Sequence, residues 1–289
     1  MGDNPEIDKK RITAPNILFA VAVVLVIQLV SLLITYENIP TYTYIVSTTG
    51  YSYAPLGTSS AGSAGNAVIL VLIVFASTLA LVWVLARKMI LSFKVLIFGS
   101  VSISAFLLTL ITFDSFSYKF VPDSYELPLG VAVSLVVVAL IGISIFVKNY
   151  PWLSTGILAF VGAEVGSFFA STLPPLTALL LPIVFSIYDV YAVFRGPLKQ
   201  LIGMGGNMAL TGMSIKAGEF TLGLGDIVFY TMLPSLALFY LTPLLSLSTI
   251  LVIDVGVVVT LYLLSRKKLL PGLPIPMLLG VLLLAVFLV

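Results

Sequence analysis

The sequence predicts an all-α, polytopic membrane protein with nine transmembrane helices, and three observations carry that reading. Of 289 residues, 60% are hydrophobic and only 9% charged, whereas a soluble domain has roughly a quarter of its residues charged to cover a water-facing surface. The apolar residues fall in continuous runs near the ~20 residues that a helix needs to cross a hydrocarbon core of ~30 Å. The basic residues lie between those runs in an alternating pattern. A membrane β-barrel would instead show alternating segments of about ten residues.

The first run, Pro15 to Thr35, follows Lys9, Lys10 and Arg11. Its length, and the lack of a small-residue cleavage pattern after it, mark a retained span and not a signal peptide. The others fall near Ala67 to Ala86, Ile90 to Thr112, Leu127 to Val147, Leu153 to Ser171, Leu176 to Phe194, Leu222 to Thr242, Ser246 to Leu264 and Leu273 to Val289. With the N-terminus in the cytoplasm, the inner segments hold those three residues plus Arg87, Lys88, Lys94, Lys148, Arg195, Lys199, Lys216, Arg266, Lys267 and Lys268, which leaves only Lys119 of the 14 basic residues outside. The expected topology in the cell membrane is therefore N-terminus inside and C-terminus outside. Trp83 and Trp152, near inner ends, read as interface anchors.

Two connections are long. Tyr36 to Asn66 is rich in Tyr, Thr, Ser and Gly and reads as an interfacial belt with a flexible piece. The inner stretch from Gly196 to Thr221 carries Gly203, Gly205, Gly206, Gly212 and Gly218, yet no Gly-Lys-Ser/Thr ending, so it reads as a cytoplasmic linker or gate and not a phosphate loop. The expected organisation is one membrane domain over 1–289: spans one to six in 1–195, the loop in 196–221, and spans seven to nine in 222–289.

Composition also narrows the chemistry. With no cysteine and no histidine, disulfide frameworks, Cys/His metal sites and Ser-His or Cys-His catalysis are excluded. The net charge of +2 and the scattered basic residues argue against nucleic acid as a partner. No metal or cofactor is expected, and the sequence is compatible with a homo-oligomer.

Four of the 12 acidic residues fall inside spans: Glu164, Asp189, Asp226 and Asp254. A carboxylate at membrane depth costs about 2.5 kcal/mol or more, and no Lys or Arg lies deep enough to pair with these. Asp189 is about five residues, roughly 8 Å, from the inner end of the sixth span, and Asp226 lies at matching depth on the antiparallel seventh. If the two helices face one another, both carboxyls cannot stay ionised. One proton shared by two carboxyls is the arrangement of an aspartic protease, in which the ionised group takes a proton from water and the protonated group polarises a peptide carbonyl.

The neighbours fit that demand. Gly223-Leu224-Gly225 before Asp226 leaves room for close backbone approach, and Tyr188 before Asp189 is placed to wall or hydrogen-bond the site. Pro271-Gly272-Leu273-Pro274, opening the last span, prevents a regular helix and leaves backbone groups free at the same depth. Glu164 and Asp254, nearer mid-span, read as packing or hydrating residues away from that depth.

Tyr188-Asp189, Gly223-Leu224-Gly225-Asp226 and Pro271-Gly272-Leu273-Pro274, in three late spans, resemble the motifs of the presenilin and signal peptide peptidase family. The resemblance covers essentially the whole chain and is closest to compact prokaryotic, archaeal members. It implies nine spans, catalytic aspartates at Asp189 and Asp226, a Pro-Ala-Leu motif opening the ninth span, and transmembrane helical proteins as substrates in the lipid bilayer. Gly272 departs from the family's usual alanine, and the 196–221 segment lacks the long cleavable loop of animal presenilins. The inferred orientation implies substrates with their N-terminus outside. Two other readings are a proton- or cation-coupled secondary transporter, for which no paired inverted repeat is seen, and a prepilin-peptidase-like enzyme, which would have fewer spans.

Overall fold

A computed structural model describes residues 14–118, 120–147, 150–196, 212–266 and 270–288. These form nine helices, α1 (Ala14–Thr49), α2 (Ser60–Ala86), α3 (Ile90–Ser117), α4 (Asp123–Phe146), α5 (Pro151–Thr172), α6 (Pro175–Phe194), α7 (Leu224–Tyr240), α8 (Pro243–Arg266) and α9 (Pro274–Leu288), plus a two-stranded hairpin, β1 (Ser214–Ala217) and β2 (Phe220–Gly223). Seven of the helices are long and apolar enough to cross a bilayer. The other two, α7 and α9, have 17 and 15 residues, about 26 and 22 Å at 1.5 Å per residue. Each is preceded by non-helical backbone: β2 before α7, and the proline-rich segment before α9.

The bundle is organised around α7, which packs on α5, α1 and α8, while α9 joins α8 to α6 and α6 leans on α2. Without a hydrophobic force between helices in lipid, close contact relies on small residues and hydrogen bonds. On α5, Gly162 and Gly166 supply the first. A methyl group on Gly166 would lie 2.0 Å from Thr231 Oγ1 and 2.7 Å from the Val228 carbonyl, and one on Gly162 would lie 2.8 Å from Ile227. A polar stripe on α1 supplies the second. Ser31 Oγ donates to the Ala163 carbonyl at 3.1 Å and lies 3.0 Å from Ser235 Oγ, and Thr35 Oγ1 donates to Ser167 Oγ at 2.8 Å. Gln28, Ser31, Thr35 and Asn38 recur at helical spacing, so all four turn into the protein and are fully buried.

Two segments differ from the sequence reading. The first helix does not stop near Thr35 but runs through Pro40 to Thr49. Tertiary partners hold the extension: Tyr42 is buried edge-on to Phe168, with ring centroids 6.0 Å apart, and Thr41 Oγ1 lies 2.7 Å from Ser115 Oγ on α3. The described end of the expected linker is a hairpin. Ile215, Ala217, Phe220 and Leu222 share its buried face, while Lys216 and Thr221 face out. Gly218, at φ +64°, takes the first turn position, where a two-residue hairpin of type II′ demands glycine. The hairpin is pinned to α5 by the Lys216 N–H, which donates to Thr155 Oγ1 at 3.2 Å. Lys199, Gly203, Gly205 and Gly206 lie outside the described residues.

Candidate active site

Asp226 sits in the first turn of α7, where helical N–H groups have no intrahelical acceptor. Its Oδ2 accepts the N–H of Gly223, the residue that caps the helix, at 3.2 Å. The run Gly223-Leu224-Gly225 is the junction between β2 and α7: the Leu224 N–H donates to the Met213 carbonyl at 2.8 Å and so ties the helix start to the base of the hairpin. Gly225 faces open space.

Asp189 projects from the last turns of α6 and is half-buried. Its Oδ2 accepts the N–H of Leu273 at 3.1 Å, across 84 residues of sequence. That donor is free because Leu273 stands just before α9: Pro274 opens the helix, and the segment from Leu270 to Leu273 makes no helical turn of its own. Pro271 and Leu273 are buried, so this non-helical backbone is packed within protein, the setting in which a membrane tolerates it.

The same dipeptide meets Asp226. A methyl group on Gly272 would lie 2.8 to 3.1 Å from the three carboxyl atoms of Asp226. The two carboxyls thus converge on Gly272-Leu273 from opposite helices. Below them, Phe185 on α6 and Phe229 on α7 pack with centroids 4.6 Å apart. Glycine at 272 has a steric meaning here, since the alanine expected from the resemblance would press on Asp226.

Tyr188 is placed otherwise than its position beside Asp189 suggests. Its hydroxyl donates to Thr78 Oγ1 on α2 at 3.3 Å, and its ring lies edge-on to Phe75 and Phe185. It braces α6 against α2 and makes no hydrogen bond to either aspartate. Tyr230, which the sequence reading passed over, is instead at the site: fully buried, it donates its hydroxyl to the Gly272 carbonyl at 2.9 Å. The signal was present, because residue i+4 after Asp226 must share its helix face. Glu164 stays apart, its Oε2 accepting from Thr109 Oγ1 at 3.1 Å. Asp254 lies buried on α8.

A multi-pass helical bundle whose two acid-bearing helices meet at a proline-broken third matches a known fold. The chain superposes on a presenilin family intramembrane aspartate protease solved in a C222 crystal form, with a TM-score of 0.62 and 19% identity over 93% of this chain and 97% of that one. The P2 form gives 0.61 and 20% identity over 92% and 95%. The class is therefore the presenilin fold. The sequence model of the family described as Presenilin matches residues 10–209, and this chain belongs to the presenilin family. It is also 37% identical over 121 residues to Presenilin-B of Dictyostelium discoideum, an alignment spanning 38% of this chain and only 25% of that relative.

Proposed function

We propose that the protein is an aspartic endopeptidase that hydrolyses peptide bonds within the transmembrane helices of substrate proteins, with Asp189 and Asp226 as its catalytic pair. The observation that carries this reading is the convergence of both carboxyls on the free backbone of Gly272-Leu273. One carboxyl is ionised and accepts a proton from water as its oxygen bonds to the scissile carbonyl carbon; the other donates a proton to the carbonyl oxygen. The resulting diol collapses by breaking the C–N bond. The nitrogen takes a proton from the first carboxyl, a diol hydroxyl returns one to the second, and an acid, an amine and the starting pair are left.

A peptide bond within a helix must leave the helix to be attacked. The non-helical backbone at Pro271-Gly272-Leu273-Pro274 and the open face at Gly225 support a substrate held extended beside the pair, with Gly223 and Leu224 shaping the approach and Tyr188 bracing α6. In this reading the chain is one membrane domain, and water enters the site from the cytoplasmic face. The distribution of basic residues supports an inner N-terminus and substrates with an outer N-terminus.

The test is proteolysis of a single-helix substrate in vesicles. Asp189→Ala and Asp226→Ala are each expected to abolish cleavage, a fall on the order of 10³-fold or more, with the melting temperature in detergent preserved. Cleavage retained by either variant refutes the assignment.

A further inference from the structure

Pro234 lies inside α7, so it has no N–H to offer the carbonyl four residues earlier. That carbonyl belongs to Tyr230. Helix α1 makes good the loss: Gln28 Nε2 donates to the Tyr230 carbonyl at 3.3 Å. Gln28 is fully buried and Tyr230 is 2% exposed. At the other end of the same tyrosine, the hydroxyl holds the Gly272 carbonyl at 2.9 Å, next to the Leu273 N–H that Asp189 accepts. One residue thus has its backbone fixed by α1 and its side chain on the segment between the two aspartates.

We infer that Gln28 and Tyr230 form a strut that positions the Gly272-Leu273 backbone against the aspartate pair. Gln28 is a positioning residue, since it does not touch the reacting atoms. The geometry explains two oddities together: a proline within a buried helix and a glutamine with no exposure. Gln28 turns one donor to the carbonyl that Pro234 leaves free. Without that bond α7 has slack at Tyr230, and the hydroxyl loses its fixed aim at Gly272.

The kinetic part of this inference rests on the protease reading; the structural part does not. The segment provides its own reporter, because Pro271, Pro274 and Pro276 have no amide hydrogen, and exchange over 270–276 reads only Leu270, Gly272, Leu273 and Ile275. In the full-length protein, Gln28→Met, similar in length but without donors, and Tyr230→Phe are each expected to speed exchange there about tenfold and to lower kcat about tenfold with KM within about twofold, while α3 and α4 keep their protection. The double variant is expected to fall no further than Tyr230→Phe alone, since both lie on one line of action. Gln28→Leu reproduces the effect should Gln28→Met fold poorly. Wild-type exchange and kcat in Gln28→Met, or losses that multiply in the double variant, overturn the strut. A wild-type protein that cleaves no helical substrate overturns the protease reading alone, and the exchange data still decide this one.

Discussion

The α3–α4 hairpin and the corner formed by α6, α7 and α9 are built from equally apolar sequence, yet they behave as opposites. Helices α3 and α4 have 28 and 24 residues and present Leu107, Leu135 and Val136 outward. The corner holds the two shortest helices, both starting from non-helical backbone, and it gathers two acids on one dipeptide. A complete helix satisfies its own N–H and C=O groups and has none to lend. A shortened one leaves donors and acceptors that the rest of the protein must meet. In the corner Asp189 takes the Leu273 N–H, Asp226 takes the Gly223 N–H, and Tyr230 serves the Gly272 carbonyl. Chemistry inside a membrane thus becomes available where regular helix is given up.

That contrast can be broken at three points. Leu273→Pro removes the N–H that Asp189 accepts without adding a polar group, and is expected to cost about 10²-fold in kcat/KM with little loss of helix content, as read by circular dichroism and a cleavage assay. Gly272→Ala sets a methyl group about 3 Å from the Asp226 carboxyl and is expected to lower kcat about tenfold with KM little changed. Any gain in rate from that alanine would show that Asp226 needs the contact. Leu107→Ala on α3 is expected to leave both activity and melting temperature near wild type, within about 0.5 kcal/mol of stability. A large effect there would mean that the smooth hairpin has a partner of its own.

Some of the corner is legible in the sequence. The acids stood out because a lone carboxylate in an apolar run is costly, and the prolines because they cannot continue a helix. The hairpin was less visible, although Ile215-Lys216-Ala217 and Phe220-Thr221-Leu222 alternate around Gly218-Glu219 as a hairpin should. Four-residue strands fall below the length at which alternation stands out from a glycine-rich connection. The end of α1 was misplaced because Pro40 and a run of Tyr and Thr look like a loop, while Phe168 and Ser115, more than 70 residues away, keep that stretch helical.

Tyr188 and Tyr230 show the remaining limit. Depth along a helix can be counted from sequence, but the direction in which a side chain points depends on which neighbours crowd it. Tyr188 is drawn to Thr78 on α2, and Tyr230 to the Gly272 carbonyl before α9. What the sequence alone determined was the solvent: 60% hydrophobic residues in long runs demand lipid, and the sparse acids stand out as costly residues within it. What only the tertiary structure decided was which acids meet, because hydropathy acts on each segment separately while contacts between segments depend on the rotation and closeness that Gly162 and Gly166 permit.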